Sequence, residues 1–230
     1  MLLVAVTMAA GFCLQDLFKH LFQNIMTRIS GIITIGVVVI TIAGAALLAG
    51  NLIMKKNSLP VLGEPGHTAG PFSFVDQDSK TITLNDVNGK VTVAEYFFTT
   101  CPGICPVMNK NLTKVYEQYK DRTDFAILSH TVNPEKDSVP VMAAYATRFK
   151  AHTPQWEFLT GDKYALYKAA REDYLLAVAD SSASSIDEDF IHTEFVALLD
   201  KQRRIRGFYD ATDAKKVDQL ITDIKKLLKE

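Results

Sequence analysis

From Ile29 to Met54 the chain carries no charged residue, and from Gly31 onward that stretch is almost wholly apolar. About 20 helical residues cross the hydrocarbon core of a bilayer, so a run of this length is expected to form a transmembrane helix. A buried helix of a soluble domain is rarely so uniformly apolar, and the run exceeds the short apolar core of a cleaved signal peptide. It divides the chain into a short N-terminal segment (1–28), an anchor (29–54) and everything after it. Lys19 and Arg28 precede the run while Lys55 and Lys56 follow it, so flanking charge does not orient it.

Met1 to Leu14 is a second apolar stretch, too short to span comfortably, and Asp16, Lys19 and His20 interrupt it. Cys13 stands where a lipoprotein signal would place its lipidated cysteine. Phe12 occupies the position where such a signal needs a small residue. Cys13 therefore reads as a thiol of an apolar segment, without function. Met26-Thr27-Arg28, just ahead of the long run, offers a second conventional start for an anchor.

Lys and Arg total 25 against 26 Asp and Glu, a formal net charge of −1. No basic field suits nucleic acid, and no acidic tail is present. Of the 3 cysteines, those beyond the anchor are both in one motif. That is too few for a disulfide scaffold and suits a working pair.

Residues 55–70, with Pro60, Pro65 and three glycines, read as a linker. Extended segments are expected at Phe72–Val75 and Thr81–Leu84, around the turn Asp76-Gln77-Asp78-Ser79-Lys80, and at Val91–Phe98, which is β-branched and aromatic enough for burial on both faces. Cys105 to Tyr119 has helical spacing, with Met108, Leu112, Val115 and Tyr119 on one stripe. Phe125–Val132 reads as a strand, and Asp137 or Ser138 as the cap of a helix reaching about Lys150. Trp156–Leu159 is a short strand, Asp162–Arg171 a helix and Tyr174–Val178 extended; Asp180 to Asp189, rich in serine and acids, is expected to be a mobile loop. Phe195–Asp200 and Ile205–Tyr209 form a hairpin. Asp213 caps a last helix with Val217, Leu220, Ile221, Ile224 and Leu227 on its apolar side. This order of strands and helices, closed by a hairpin and a helix, fits a thioredoxin-like α/β sandwich over 71–230.

The chemistry lies in Phe97-Phe98-Thr99-Thr100-Cys101-Pro102-Gly103-Ile104-Cys105-Pro106, between the buried strand and a helix. Thiols at a helix N-terminus feel the partial positive charge of unpaired N–H groups, which favours the thiolate for metal binding and for disulfide exchange alike. Pro102 and Pro106 stiffen the loop. Three residues separate the cysteines, against two in thioredoxin-type redox loops. A metal needs a third ligand, and His67, His130, His152 and His192 are the histidines beyond the anchor. His192 stands out because it ends the acidic loop just before the strand at Phe195, a segment that in such a sheet approaches the cysteine loop. Two thiolates and an imidazole form a soft set that suits copper; structural zinc would want a fourth ligand.

From Phe72 onward the chain resembles the Sco/SenC copper-binding assembly proteins of respiratory membranes. The resemblance rests on FSFVDQDSKTITLNDVNGKVTVAEYFFTTCPGICPVM, HTVNPEKDS, FLTGDKYALYKAAREDY and IHTEFVALLD. It implies a membrane-tethered thioredoxin-like domain on the extracytoplasmic side of a cell inner membrane. It also implies copper held by Cys101, Cys105 and His192, and copper delivery to, or thiol reduction at, the dinuclear copper centre of cytochrome c oxidase. Many members carry a polar or acidic residue where this chain has Gly103. No proline stands at the His192-Thr193 segment, where thioredoxins place a cis-proline, which favours metal binding over general disulfide exchange.

Three functions are thus open. The first is a copper metallochaperone rather than a turnover enzyme. The second is a thiol–disulfide oxidoreductase that uses Cys101 and Cys105 to keep the acceptor's cysteines reduced. The third, peroxide reduction, has only the fold and the two cysteines behind it.

Overall fold

The computed structural model describes residues 26, 36–48, 58–176 and 193–230. It falls into two units, Met1–Ser58 and Leu59–Glu230. In the first, residues 36–48 form helix α1, whose Val37, Val38, Val39, Ile40, Ile42, Leu47 and Leu48 are all exposed. Among the described residues no helix is long and apolar enough to cross a membrane. The transmembrane helix expected over 29–54 is described only in its middle. Cys13, His192 and the acidic loop lie outside the described residues.

The second unit is built on strand β3 (Val91–Phe97), whose seven residues are all buried. The β-branched and aromatic run is apolar on both faces because both faces are covered. Val91, Val93 and Phe97 enter one core with helices α3 (Ile104–Tyr119), α4 (Val139–Thr147) and α6 (Ala214–Leu227). Ala94 and Tyr96 enter a second core, beneath helix α5 (Lys163–Lys168) and the hairpin of β1 (Ser73–Val75) and β2 (Thr81–Thr83). Helix α2 (Leu84–Val87) follows the hairpin directly, so Leu84, expected to be extended, opens a helix closed by the Thr83–Asp86 capping box.

The main sheet has the order β5-β4-β3-β6-β7. β4 (Phe125–Thr131) and β5 (Trp156–Leu159) run parallel to β3; on the other side β6 (Phe195–Leu199) is antiparallel to β3, and β7 (Ile205–Asp210) is antiparallel to β6. This is the expected thioredoxin-like sandwich. The stripe Met108, Leu112, Val115 and Tyr119 is buried, and the Tyr119 hydroxyl donates to the Ile221 carbonyl at 2.7 Å, joining α3 to α6. Asp213 caps α6 through the Lys215 N–H, as its position implied.

Three expectations are corrected. The packed unit begins at Leu59, not 71. Arg206, nearly buried, donates to the carbonyls of Leu59 and Pro60 at 2.7 and 3.0 Å, Leu62 pairs with Ile205, and Asp173 holds His67 and Gly70. Proline and glycine marked irregular backbone there, and its polar groups are satisfied by the domain. The helix from Asp162 gives way to a π turn at Ala169–Asp173, which points Asp173 toward that arm. Tyr174, expected in an extended strand, instead packs its ring at a tilt against Tyr96 and His130. Residues 177 and 178 lie outside the described residues.

Candidate metal centre

β3 ends at Phe97 and α3 starts at Ile104, so the loop carrying Cys101 crosses the edge of the central strand. β6 runs antiparallel to β3, pairing Ala94 with Ala197 and Thr92 with Leu199. The entrance to β6 therefore lies beside the exit of β3. Thr193, the residue after His192, lines one narrow cleft with Tyr96, Phe97, Phe98, Ile104 and both cysteines. The strand order alone brings these distant segments together.

Both cysteines are free thiols; Cys101 is half-buried and Cys105 buried. Gly103 is the N-cap of α3, and Pro106 sits in its first turn, where an N–H would have no intrahelical partner. Partial burial by itself would raise the Cys101 thiol. The hydrogen bond from the Cys105 side chain outweighs it, together with the N–H groups of Cys105, Gly103 and Ile104, and the Cys101 pKa falls below its ordinary value. Cys105 goes the other way: burial first, then the Cys101 sulfur, push it up to about 12. Cys101 is thus the sulfur that ionises first, and Cys105 the one that keeps its proton beside it. Gly103 has φ −113° and nothing within 4 Å of where a Cβ would stand, so the loop conformation does not require glycine there.

Asp137 does not cap α4; Ser138 holds that position, without a side-chain cap. The fully buried Asp137 carboxylate accepts from the Thr99 hydroxyl at 2.5 Å, the Thr99 N–H at 3.2 Å and the Thr131 hydroxyl at 2.5 Å. It clamps the chain two residues ahead of Cys101. Sequence reasoning missed this role because a cap and a clamp look alike in Asn133-Pro134-Glu135-Lys136-Asp137.

Glu95 was missed as well. It lies on the cysteine side of β3, fully buried, accepting from Ser129, whose oxygen also accepts from Trp156 Nε1 at 2.9 Å. Its other oxygen has no partner among the described residues, and burial pushes its pKa up to about 8. An acid inside the apolar run Val91–Phe98 was the available signal.

The described histidines are placed elsewhere. His130 is buried on the other sheet face, stacked on Tyr96 at 5.0 Å, and burial lowers its pKa to about 4. His67 holds the arm, and His152 lines a hollow with Gln77 and Asp78 of the hairpin turn. Among the described residues no three His, Cys, Asp or Glu side chains group as a metal site. The structure therefore brings together Cys101 and Cys105, with the third expected ligand outside its described part.

The SCO1/SenC family model matches residues 62–229. The chain belongs to the SCO1/SenC family. The SCO1 protein homolog of Bacillus subtilis is 27% identical over 157 residues, 67% of this chain and 80% of the relative. The structure of BsSco, described as having a disulfide switch and as a member of the Sco family of cytochrome c oxidase assembly proteins, matches with a TM-score of 0.61 at 25% identity, covering 74% of this chain and 96% of that one. Arabidopsis thaliana ScoI with copper bound matches with a TM-score of 0.52 at 25% identity, over 69% and 99%. The resemblance read from the cysteine motif and its flanking stretches is thereby established at family level.

Proposed function

We propose that this SCO1/SenC protein is a membrane-anchored copper metallochaperone serving the dinuclear copper centre of cytochrome c oxidase. In this reading Cys101 and Cys105 hold the copper cargo and His192 completes the set. The observation that carries it is the pairing of a half-exposed, more readily ionised Cys101 with a buried Cys105 in one cleft at the entrance to β6. The sulfur that ionises more readily takes a soft cation first, and Cys105 releases its proton as the second thiolate forms. Imidazole suits the harder oxidation state. A site of so few donors, open at one sulfur, lets an acceptor's ligand attack before all the donors have left. The copper-bound ScoI relative supports the cargo, and covalent continuity with Thr193 supports His192.

The anchor at 29–54 and an extracytoplasmic domain belong to the same proposal. The exposed apolar side chains of α1 suit lipid contact, and a working thiol pair suits an oxidising compartment.

The sulfur asymmetry also favours a second reading, a dithiol reductant in which Cys101 attacks and Cys105 resolves the mixed disulfide. One experiment separates the two. Reduced chain should bind one copper, and the Cys101–Cys105 disulfide should abolish tight binding. His192→Ala should form the disulfide normally yet lose Cu(II) affinity and oxidase assembly. Near-normal copper binding and assembly in His192→Ala, with loss in Cys101→Ser, would favour the reductant. Any truncated form should keep Leu59 and Pro60, which Arg206 holds.

A further inference from the structure

Beginning one residue past Cys105, a groove of about 940 Å³ runs between α3 and the end of α4. Pro106, Lys110 and Lys114 line one wall, and Arg148, Phe149 and Lys150 the other. The four cations are exposed, and among the described residues none of them is in an ion pair. The groove's carboxylate, Glu117, is taken by Lys120 at 2.6 Å. Arg148 lies over the Tyr145 ring, 5.2 Å from its centroid, so its position is held by packing without its charge being neutralised.

The cations are joined to the cysteine loop by exposed apolar surface. Val107, 46% exposed, shares the helix side of Lys110 and Lys114 at spacings of three and seven. Val141, 39% exposed, lines a hollow with Arg148, Thr99 and Thr100, the residues leading into Cys101. An apolar patch rimmed by unpaired like charges is the anatomy of a surface that receives a partner of opposite charge.

Resting on the copper-handling reading, we propose that this groove docks an acidic, apolar-centred protein surface of the copper acceptor, setting its metal ligands against Cys101. A protein fits better than a bilayer. The groove is concave, with Phe149 on one of its walls, and a flat lipid surface would touch only its rims. The chain as a whole is nearly neutral, so the concentration of unpaired positive charge beside the thiols is local. It would speed encounter with an acidic face and orient it.

The test uses the full chain in nonionic detergent micelles, metal-free, and a fluorescein-labelled Glu-rich peptide with a central leucine pair. Anisotropy at low salt should show binding that Lys110→Gln/Lys114→Gln weakens by about tenfold and that added salt removes. Lys215→Gln/Lys216→Gln, the same charge change on the exposed start of α6, should leave it unchanged. Equal weakening by both pairs, or by neither, would overturn the proposal. So would a groove variant that binds peptide normally but no longer responds to phosphatidylglycerol added to the micelles, which would give these cations to a lipid surface. Cu(I) titration of the same samples keeps the two readings apart. A chain that takes up no copper yet binds the peptide through Lys110 and Lys114 defeats the chaperone function and leaves the groove standing.

Discussion

Asp137→Ala tests how the cysteine loop is held. The substitution removes the acceptor for the Thr99 N–H, the Thr99 hydroxyl and the Thr131 hydroxyl. The hydroxyls can rotate to other acceptors or to water, but the Thr99 N–H cannot turn. Losing the acceptor that joins part-buried Thr99 to fully buried Thr131 costs about 1–3 kcal/mol, and about 3 kcal/mol is expected because three hydrogen bonds go together. For a domain of this size about 1 kcal/mol moves the melting temperature by roughly 2–4 °C, so metal-free Asp137→Ala should melt about 6–12 °C below the parent. Asp137→Asn keeps the shape and one acceptor oxygen and should lose less than half of that. The clamp also has a chemical readout. If Thr99 drifts, the N–H groups of Gly103, Ile104 and Cys105 lose their aim on the Cys101 sulfur, and its thiol should climb back toward the ordinary range. Thiolate absorbance followed against pH measures this directly. An Asp137→Ala chain that melts with the parent and keeps its thiolate titration would refute the reasoning.

Three further outcomes are expected. Burial holds Glu95 at about 8 in the fold, whereas an unfolded chain ionises it near 4.3. The fold accommodates the neutral form, so this stability is full below the unfolded value and is lost as pH rises through 8, by up to about 1.4 kcal/mol per pH unit. Glu95→Gln should therefore show a flatter pH dependence in denaturant melts and exceed the parent in alkali; parallel pH profiles would exclude the assignment. Iodoacetamide at neutral pH should label Cys101 of the reduced chain at least about tenfold faster than Cys105, because the thiolate is the nucleophile and Cys101 ionises more readily; equal labelling by peptide mass analysis would contradict that order. Protease added to intact spheroplasts should degrade the domain beyond residue 58, and full protection there would sink the extracytoplasmic assignment.

Local signals carried much of the architecture. Strand β3, the stripe of α3, the turn before Lys80 and the Asp213 cap were legible because burial periodicity and turn chemistry act over a few residues. The cysteine pair was legible for the same reason, and the stretches around it were enough to show the family. Tertiary structure decided what depends on distant partners. Asp137 is a clamp because Thr99, 38 residues away, meets it. The arm from Leu59 is docked because Arg206 reaches back 147 residues to its carbonyl. Which of Cys101 and Cys105 ionises first follows from burial and from which N–H groups face which sulfur, and no spacing of residues states either. Composition reports what a side chain can do; the energy of doing it is set by solvent exclusion and by neighbours that only the folded chain supplies.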